Sequence, residues 1–365
     1  MTWIAVEDPG QAPESAAPAR GPRERPARRR AAGDVLAKGS LYIEASLGRD
    51  RRKEQSLFVL HRRAGVKSHV SVQLGANGTV VFGRRLGRAR LQVVLNTDSA
   101  QLEGVVRLTV SWDTAARRGL LSVENVALGT LVQKDFADPL PLLHSDIARL
   151  NARGDDVSFA PALRCVSLSD RLEPVGISPS FAAGTPLRTP RGYRPVEDLC
   201  PGDTVLTTDG HEKTVCWVGA REVPARGRFR PIRLHAPYFG LLRDVVVAPE
   251  QRLALRGSEV EYLFGEEAVL VEAHDLLNSA FAAAEPAGPT IRYHQVLLDR
   301  HELLDVAGAG LESLFVGHLR DMPDVLATTV LRNVAPEQLP RHKKLAYPAL
   351  RDYEAVTLRA ALLNR

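Results

Sequence analysis

Within Leu297–Leu303 (LLDRHEL) a carboxylate and an imidazole stand two residues apart. Strand alternation would put Asp299 and His301 on one face, roughly 6–7 Å apart. Such a pair can move a proton, because an imidazole titrates close to neutral pH and a carboxylate can orient it. His294, earlier in the same apolar run, is a second candidate. The commoner role for such residues is a hydrogen-bonded edge or turn cluster. His274 and Asp275 follow Glu272 and read as flanking a short helix. The three cysteines, Cys165, Cys200 and Cys216, are odd in number and lack CxxC spacing, which excludes a disulfide framework and a cysteine-rich zinc site. Asp98, Asp113, Asp135 and Asp138 are scattered near turns, where they cap more often than they bind metal. Neither a metal nor another cofactor is expected.

The elements that would carry these residues are mainly strands. Leu41–Leu47, Ser56–His61, His69–Leu74, Thr79–Phe82 and Leu91–Asn96 are short alternating runs with β-branched content. Ala76-Asn77-Gly78 reads as a tight hairpin turn, and Val105–Trp112 leads through Asp113–Gly119 into Leu120–Glu124 as a second hairpin. There Leu108, Val110 and Trp112 share one face, so Trp112 is expected in the core. Seven or so strands at regular spacing predict an antiparallel sandwich.

At 365 residues the chain exceeds two typical domains, with 44% hydrophobic and 25% charged residues, so it is not disordered throughout. No apolar run reaches about 18 residues, and the first ten residues lack a basic region followed by an apolar stretch. A membrane span and a cleaved signal are therefore not expected, and the cytoplasm is the default, with non-classical export left open. The net charge of +5 is not gathered into a stripe that could neutralise many phosphates. Residues 20–30 hold six Arg and one Glu and read as a solvated tail, so no nucleic-acid partner is expected.

From Ser180 the chain reads Gly184-Thr185-Pro186, Thr189-Pro190-Arg191-Gly192, Val196-Glu197-Asp198-Leu199 and Gly202-Asp203-Thr204-Val205, ending on Thr207-Thr208-Asp209-Gly210. This long pattern resembles the Hint module shared by hedgehog autoprocessing domains and inteins, in its bacterial multidomain subgroup. Further matches follow in Cys216–Gly219, Asp244–Leu255, Leu263–Glu272, Tyr293–Leu304 and Tyr347–Leu363. The earlier segment resembles laminin G-like, concanavalin-type sandwiches through Ser40–Glu44 and Leu108–Asp113. Together these imply an N-terminal antiparallel β-sandwich and a C-terminal, horseshoe-like all-β Hint module with short helices. The expected divisions are a disordered tail over 1–37, the sandwich over 38–150, a linker over 151–178 whose likeliest flexible point is Arg153–Asp156, the Hint module over 179–318 and a helical extension over 319–365 packed upon it.

The resemblance implies self-cleavage at Pro179-Ser180, in which the module's first side chain attacks the preceding carbonyl. Here the nucleophile position is Ser180, where the family normally has Cys. The segment matching the family's Thr/Ser-x-x-His reads Ala248-Pro249-Glu250-Gln251, so the hydroxyl has become Ala248 and the imidazole Gln251. His301 matches a late histidine, and Ala307-Gly308 stands where the family has Asn-Gly. The expectation is a degenerate module. One alternative is slow cleavage with Ser180 as nucleophile, His301 or His294 moving the proton and Asp299 orienting it. Another is a binding protein whose sandwich takes a carbohydrate or protein ligand. Protein splicing is not expected, since Leu363 precedes Asn364 and a His-Asn end is missing. The last helix is read as docking on the module through Leu350, Tyr353, Val356, Leu358, Leu362 and Leu363.

Overall fold

In the computed structural model the described residues are 3–7, 35–48, 54–62, 65–75, 77–98, 102–152 and 155–363. The arginine-rich run at 20–30, Ala76 of the first hairpin turn, Arg153-Gly154 and Asn364-Arg365 lie outside them. The chain divides into two compact units, Met1–Gly176 and Ile177–Arg365. Among the described residues no helix is long and apolar enough to cross a membrane.

The first unit is an antiparallel sandwich. Its strands are β1 (Trp3–Glu7), β2 (Val35–Leu36), β3 (Lys38–Leu47), β4 (Gln55–Arg62), β5 (Ser68–Leu74), β6 (Thr79–Leu86) and β7 (Ala89–Asn96). They are followed by β8 (Gly104–Asp113), β9 (Arg118–Asn125), β10 (Thr130–Ala137), β11 (Leu142–Leu143), helix α1 (His144–Ala152), β12 (Val157–Phe159) and β13 (Leu163–Ser169). One sheet runs β1-β13-β3-β8-β9-β10 and the other β12-β4-β5-β6-β7. Ile43, Leu57, Val72, Val80, Leu108 and Leu121, each at 0 or 1% exposure, belong to a single buried cluster. Both hairpins form as their turn residues require, with Gly78 at a positive φ of 83° closing β5 onto β6. Trp112 is buried and its indole N–H donates to the Leu36 carbonyl. Asp146 in the first turn of α1 accepts from Ser68, whose hydroxyl is met by Arg84, and Arg84 also donates to the Pro141 carbonyl at 2.6 Å.

Two segments differ from their sequence reading. Trp3–Glu7, within the expected disordered tail, pairs antiparallel with β13, with Trp3 and Ala5 buried. Leu163–Ser169, within the expected linker, is a buried strand lying between β1 and β3. Its Cys165-Val166-Ser167-Leu168 alternation looks polar in isolation, yet the small polar side chains bond each other, as Cys165 Sγ does with Ser167 Oγ at 3.3 Å.

The second unit begins β14 (Phe181–Ala182), β15 (Pro186–Thr189), β16 (Gly192–Pro195), β17 (Thr204–Leu206), β18 (Glu212–Thr214) and β19 (Trp217–Pro224). It continues β20 (Ile232–Leu234), β21 (Val245–Val247), β22 (Arg252–Arg256), α2 (Ser258–Phe264), β23 (Ala268–Glu272) and β24 (Ala282–Ala284). It ends with β25 (Thr290–Leu297), β26 (Leu303–Val306), β27 (Ala309–Glu312), α3 (Pro323–Leu326) and α4 (Asp352–Leu363). The sheets are β19-β25-β14-β21-β20-β24, β16-β15-β26-β27-β22-β23 and the pair β17-β18, all antiparallel. Phe181 is wholly buried, paired with His294 on one side and Val247 on the other.

The chain beyond β27 closes this unit. Leu314, Val316, Leu319, Leu326, Leu331 and Leu339 form a second small core with Leu297. The edge strand β23 is covered, because Leu270 donates to Pro348 and accepts from Leu350, which removes an unpaired edge. Helix α4 buries Ala355 and Leu358, with Leu350 and Leu362 packed beside them. Tyr353, Val356 and Leu363 point outward at 63, 47 and 46% exposure, so the docking face is narrower than the expected six residues.

Candidate functional site

Ser180 immediately precedes β14, a central strand of the six-stranded sheet β19-β25-β14-β21-β20-β24, and its backbone is fixed on both sides. Its N–H donates to the His294 carbonyl at 3.2 Å, and its own carbonyl accepts from Ala248 at 2.7 Å. The second of these bonds draws the turn between β21 and β22 against the first residue of the module, with Gln251 on that turn. The Ser180 hydroxyl donates to Gln251 Oε1 and accepts from Gln295 Nε2 at 2.9 Å. Ser180, Gln251 and Gln295 are all buried, at 6, 1 and 2% exposure.

The orientation of both amides follows from their other partners. Gln251 Nε2 donates to the Arg252 carbonyl at 2.9 Å and to the Glu312 carbonyl at 3.2 Å. Turning that amide over would aim its oxygen at two carbonyl oxygens, so Oε1 faces Ser180. Gln295 Oε1 accepts from Val296 N at 2.9 Å, which sends its Nε2 toward Ser180 and Gln251. An amide oxygen accepts a hydrogen bond but does not hold a proton near neutral pH, and the second amide occupies a hydroxyl lone pair. This arrangement can position Ser180 and cannot ionise it.

The expected proton-handling residues lie elsewhere. Asp299 and His301 do not share a strand face, because β25 ends at Leu297 and β26 begins at Leu303. Asp299 is exposed and its carboxylate accepts from the neighbouring Arg300 N–H at 3.0 Å. His301 is instead wholly buried as a side chain, and both ring nitrogens are used. Nδ1 accepts from Ala346 N at 2.9 Å, so the proton sits on Nε2, which meets Glu312 Oε2 at 3.0 Å. Glu312 also receives Arg252 at 3.0 Å, and Phe315 and His342 pack edge-on against the His301 ring. His342 is tied in the same way, accepting from Val316 N and facing the Leu298 carbonyl at 3.1 Å.

His294 neighbours Gln295 on β25, so strand alternation turns its ring to the opposite face from Ser180 Oγ. Burial, with Arg292 adding to it, holds its pKa below the usual imidazole value, and Glu197 opposes this. Among the described residues, then, neither histidine is a partner of the Ser180 hydroxyl. Ala248 contributes its backbone N–H alone. Ala307-Gly308 forms the two-residue turn between β26 and β27, with φ of 51° and 94°, a turn that ordinarily favours Asn-Gly.

A separate ionisable cluster lies on the 3₁₀ turn Ala273–Leu276, with His274 and Asp275 inside the turn rather than flanking it. His274 is held between Glu272 at 3.1 Å and Asp275 at 3.2 Å, with Arg228 on Glu272 at 3.0 Å. Burial pushes the Asp275 carboxyl up to about 6. Among the described residues no group of three or more His, Cys, Asp or Glu is arranged to hold a metal.

Gln295 and Glu312 were not singled out in the sequence. Gln295 carries a weak signal, as the polar member of the otherwise apolar Val296-Leu297-Leu298 run. Glu312 carries none, since its partners His301 and Arg252 come from two other segments.

The sheets, the Ser180 pocket and the sequence pattern converge on one class of protein, a β-sandwich followed by a module related to self-processing domains. Residues 179–318 match the family model of the Hint domain, and the chain therefore carries a Hint domain joined to an N-terminal sandwich. Among solved structures, a bacterial intein-like domain from Clostridium thermocellum is similar at 19% identity, covering 37% of this chain and 98% of that one, with a TM-score of 0.27. The MchDnaB-1 intein gives 18% identity over 37% and 99% of the two chains, with a TM-score of 0.25. The CBM40 of Ruminococcus gnavus IT-sialidase, bound to α2,6-sialyllactose, gives 15% identity over 37% and 78%, with a TM-score of 0.27. Likenesses at this level say nothing of ligand or activity here. No curated protein matches the chain.

Proposed function

We propose that the Hint module of this chain has lost its self-processing reaction and persists as an uncleaved structural unit joined to the sandwich. The observation that carries this reading is the Ser180 hydroxyl, held between the carboxamides of Gln251 and Gln295. An N-to-O acyl shift would form a bond from Ser180 Oγ to the Pro179 carbonyl carbon and break the bond from that carbon to Ser180 N. The hydroxyl proton must leave, and the departing nitrogen must gain one. A serine hydroxyl needs a strong base for the first step, and Gln251, at the position where the family has an imidazole, supplies neither base nor acid. Loss of such a group costs about 10²–10⁴ in rate. Ala248 removes the hydroxyl of the same element, and His301 is committed to Glu312 and Ala346.

The test restores the thiol and the imidazole in the full chain. A Ser180→Cys, Gln251→His double variant followed by intact mass is expected to break between residues 179 and 180 when dithiothreitol is added. Ser180→Ala, Gln251→His is expected to stay whole. A double variant as inert as the wild type would overturn the assignment of the defect to Ser180 and Gln251.

A further inference from the structure

We propose that His61 and His69, side by side on the sandwich, form a two-imidazole site for a late first-row divalent ion such as nickel(II) or copper(II). The two residues are direct partners in the antiparallel register of β4 and β5. Their Nδ1 atoms approach to 3.0 Å, with ring centroids 4.5 Å apart and planes inclined by 39°. Two nitrogens bound at about 2.0–2.1 Å and at right angles around one metal would stand about 2.9 Å apart, and at a tetrahedral angle about 3.3 Å. The observed separation fits adjacent positions of a square-planar or octahedral ion, the geometries of copper(II) and nickel(II). A metal would take the place of the single proton that the pair now shares.

His61 is exposed and His69 half-buried, so water can fill the remaining coordination positions. Arg85 faces His69 from β6 in register and opposes any cation. That selects for ions with strong intrinsic affinity for imidazole over calcium or magnesium, which prefer oxygen ligands. Among the described residues no third His, Cys, Asp or Glu joins the pair.

The experiment titrates nickel(II) into the full chain, free of any affinity tag, by calorimetry, with the melting temperature recorded in parallel. One equivalent is expected to bind and to raise the melting temperature. His61→Ala and His69→Ala should each weaken binding about tenfold or more, because chelation is lost, and abolish the rise in melting temperature. His211→Ala, which removes an exposed histidine of the Hint module, should change neither. Circular dichroism in chelator checks that each variant is folded. Binding of equal strength in the His61→Ala, His69→Ala double variant, or no binding by the wild type, would overturn the proposal.

Discussion

Replacing His301 by Ala separates a structural imidazole from a catalytic one. The substitution removes a wholly buried ring, leaves Glu312 Oε2 without its donor and leaves the Ala346 N–H without its acceptor. Each buried polar group orphaned in this way costs about 1–3 kcal/mol. The lost contacts with Phe315 and His342 add to that, so the total is about 3–5 kcal/mol. For a unit of this size such a loss lowers the melting temperature by roughly 10 °C. The two units need not unfold together, so a single transition would mislead. Hydrogen exchange in rising urea, read by mass on peptides, resolves them. Protection is expected to collapse first around residue 346 and across the Hint module, with the sandwich peptides unchanged. His301→Gln, which can keep one of the two hydrogen bonds, should recover part of the loss. A loss below about 1 kcal/mol would refute the structural assignment and return His301 to the candidates for proton transfer.

Asp275 should make the module less stable as pH rises. Burial raises its folded pKa to about 6, above the unfolded value near 4, so the folded state holds the extra proton between them. Stability from this group falls as pH climbs from about 4 to about 6, and Asp275→Asn should remove that decline in urea midpoints across the window. In the sandwich, Arg84→Leu removes the buried guanidinium that serves Ser68, the Pro141 carbonyl and Asp146, leaving Arg62 at 3.3 Å as the cation on Asp146, and should cost about 1–3 kcal/mol in the sandwich transition alone. A penalty no larger than that of a surface Arg would contradict the role given to this cluster.

Much of the fold was legible because antiparallel strands with one buried face carry alternation in the chain itself, as in Val70-Val72-Leu74 against Val80-Phe82. Turn residues such as Asn77-Gly78 then fix the pairing locally. Trp3–Glu7 and Leu163–Ser169 were not legible, since each is defined by a partner far away in sequence and neither has a turn to announce it. The Ser180 region was legible as a long pattern that takes in the segment Ala248–Gln251, while its contact with the Ser180 hydroxyl was not. The Asp299 and His301 pairing failed because period two was carried past the end of a strand. The carboxylate that does meet His301 is Glu312, placed by the β26–β27 hairpin.

The proposed loss of self-processing means that a hydroxyl held between two carboxamides does not attack its own peptide bond. The most direct measurement is the intact mass of the wild-type chain over days at neutral pH, with and without hydroxylamine, beside Ser180→Ala. Hydroxylamine would capture any ester formed at Ser180 and release fragments 1–179 and 180–365. One full-length mass is expected throughout, identical in behaviour to Ser180→Ala. Fragments that accumulate in the wild type, grow with hydroxylamine and vanish in Ser180→Ala would contradict it.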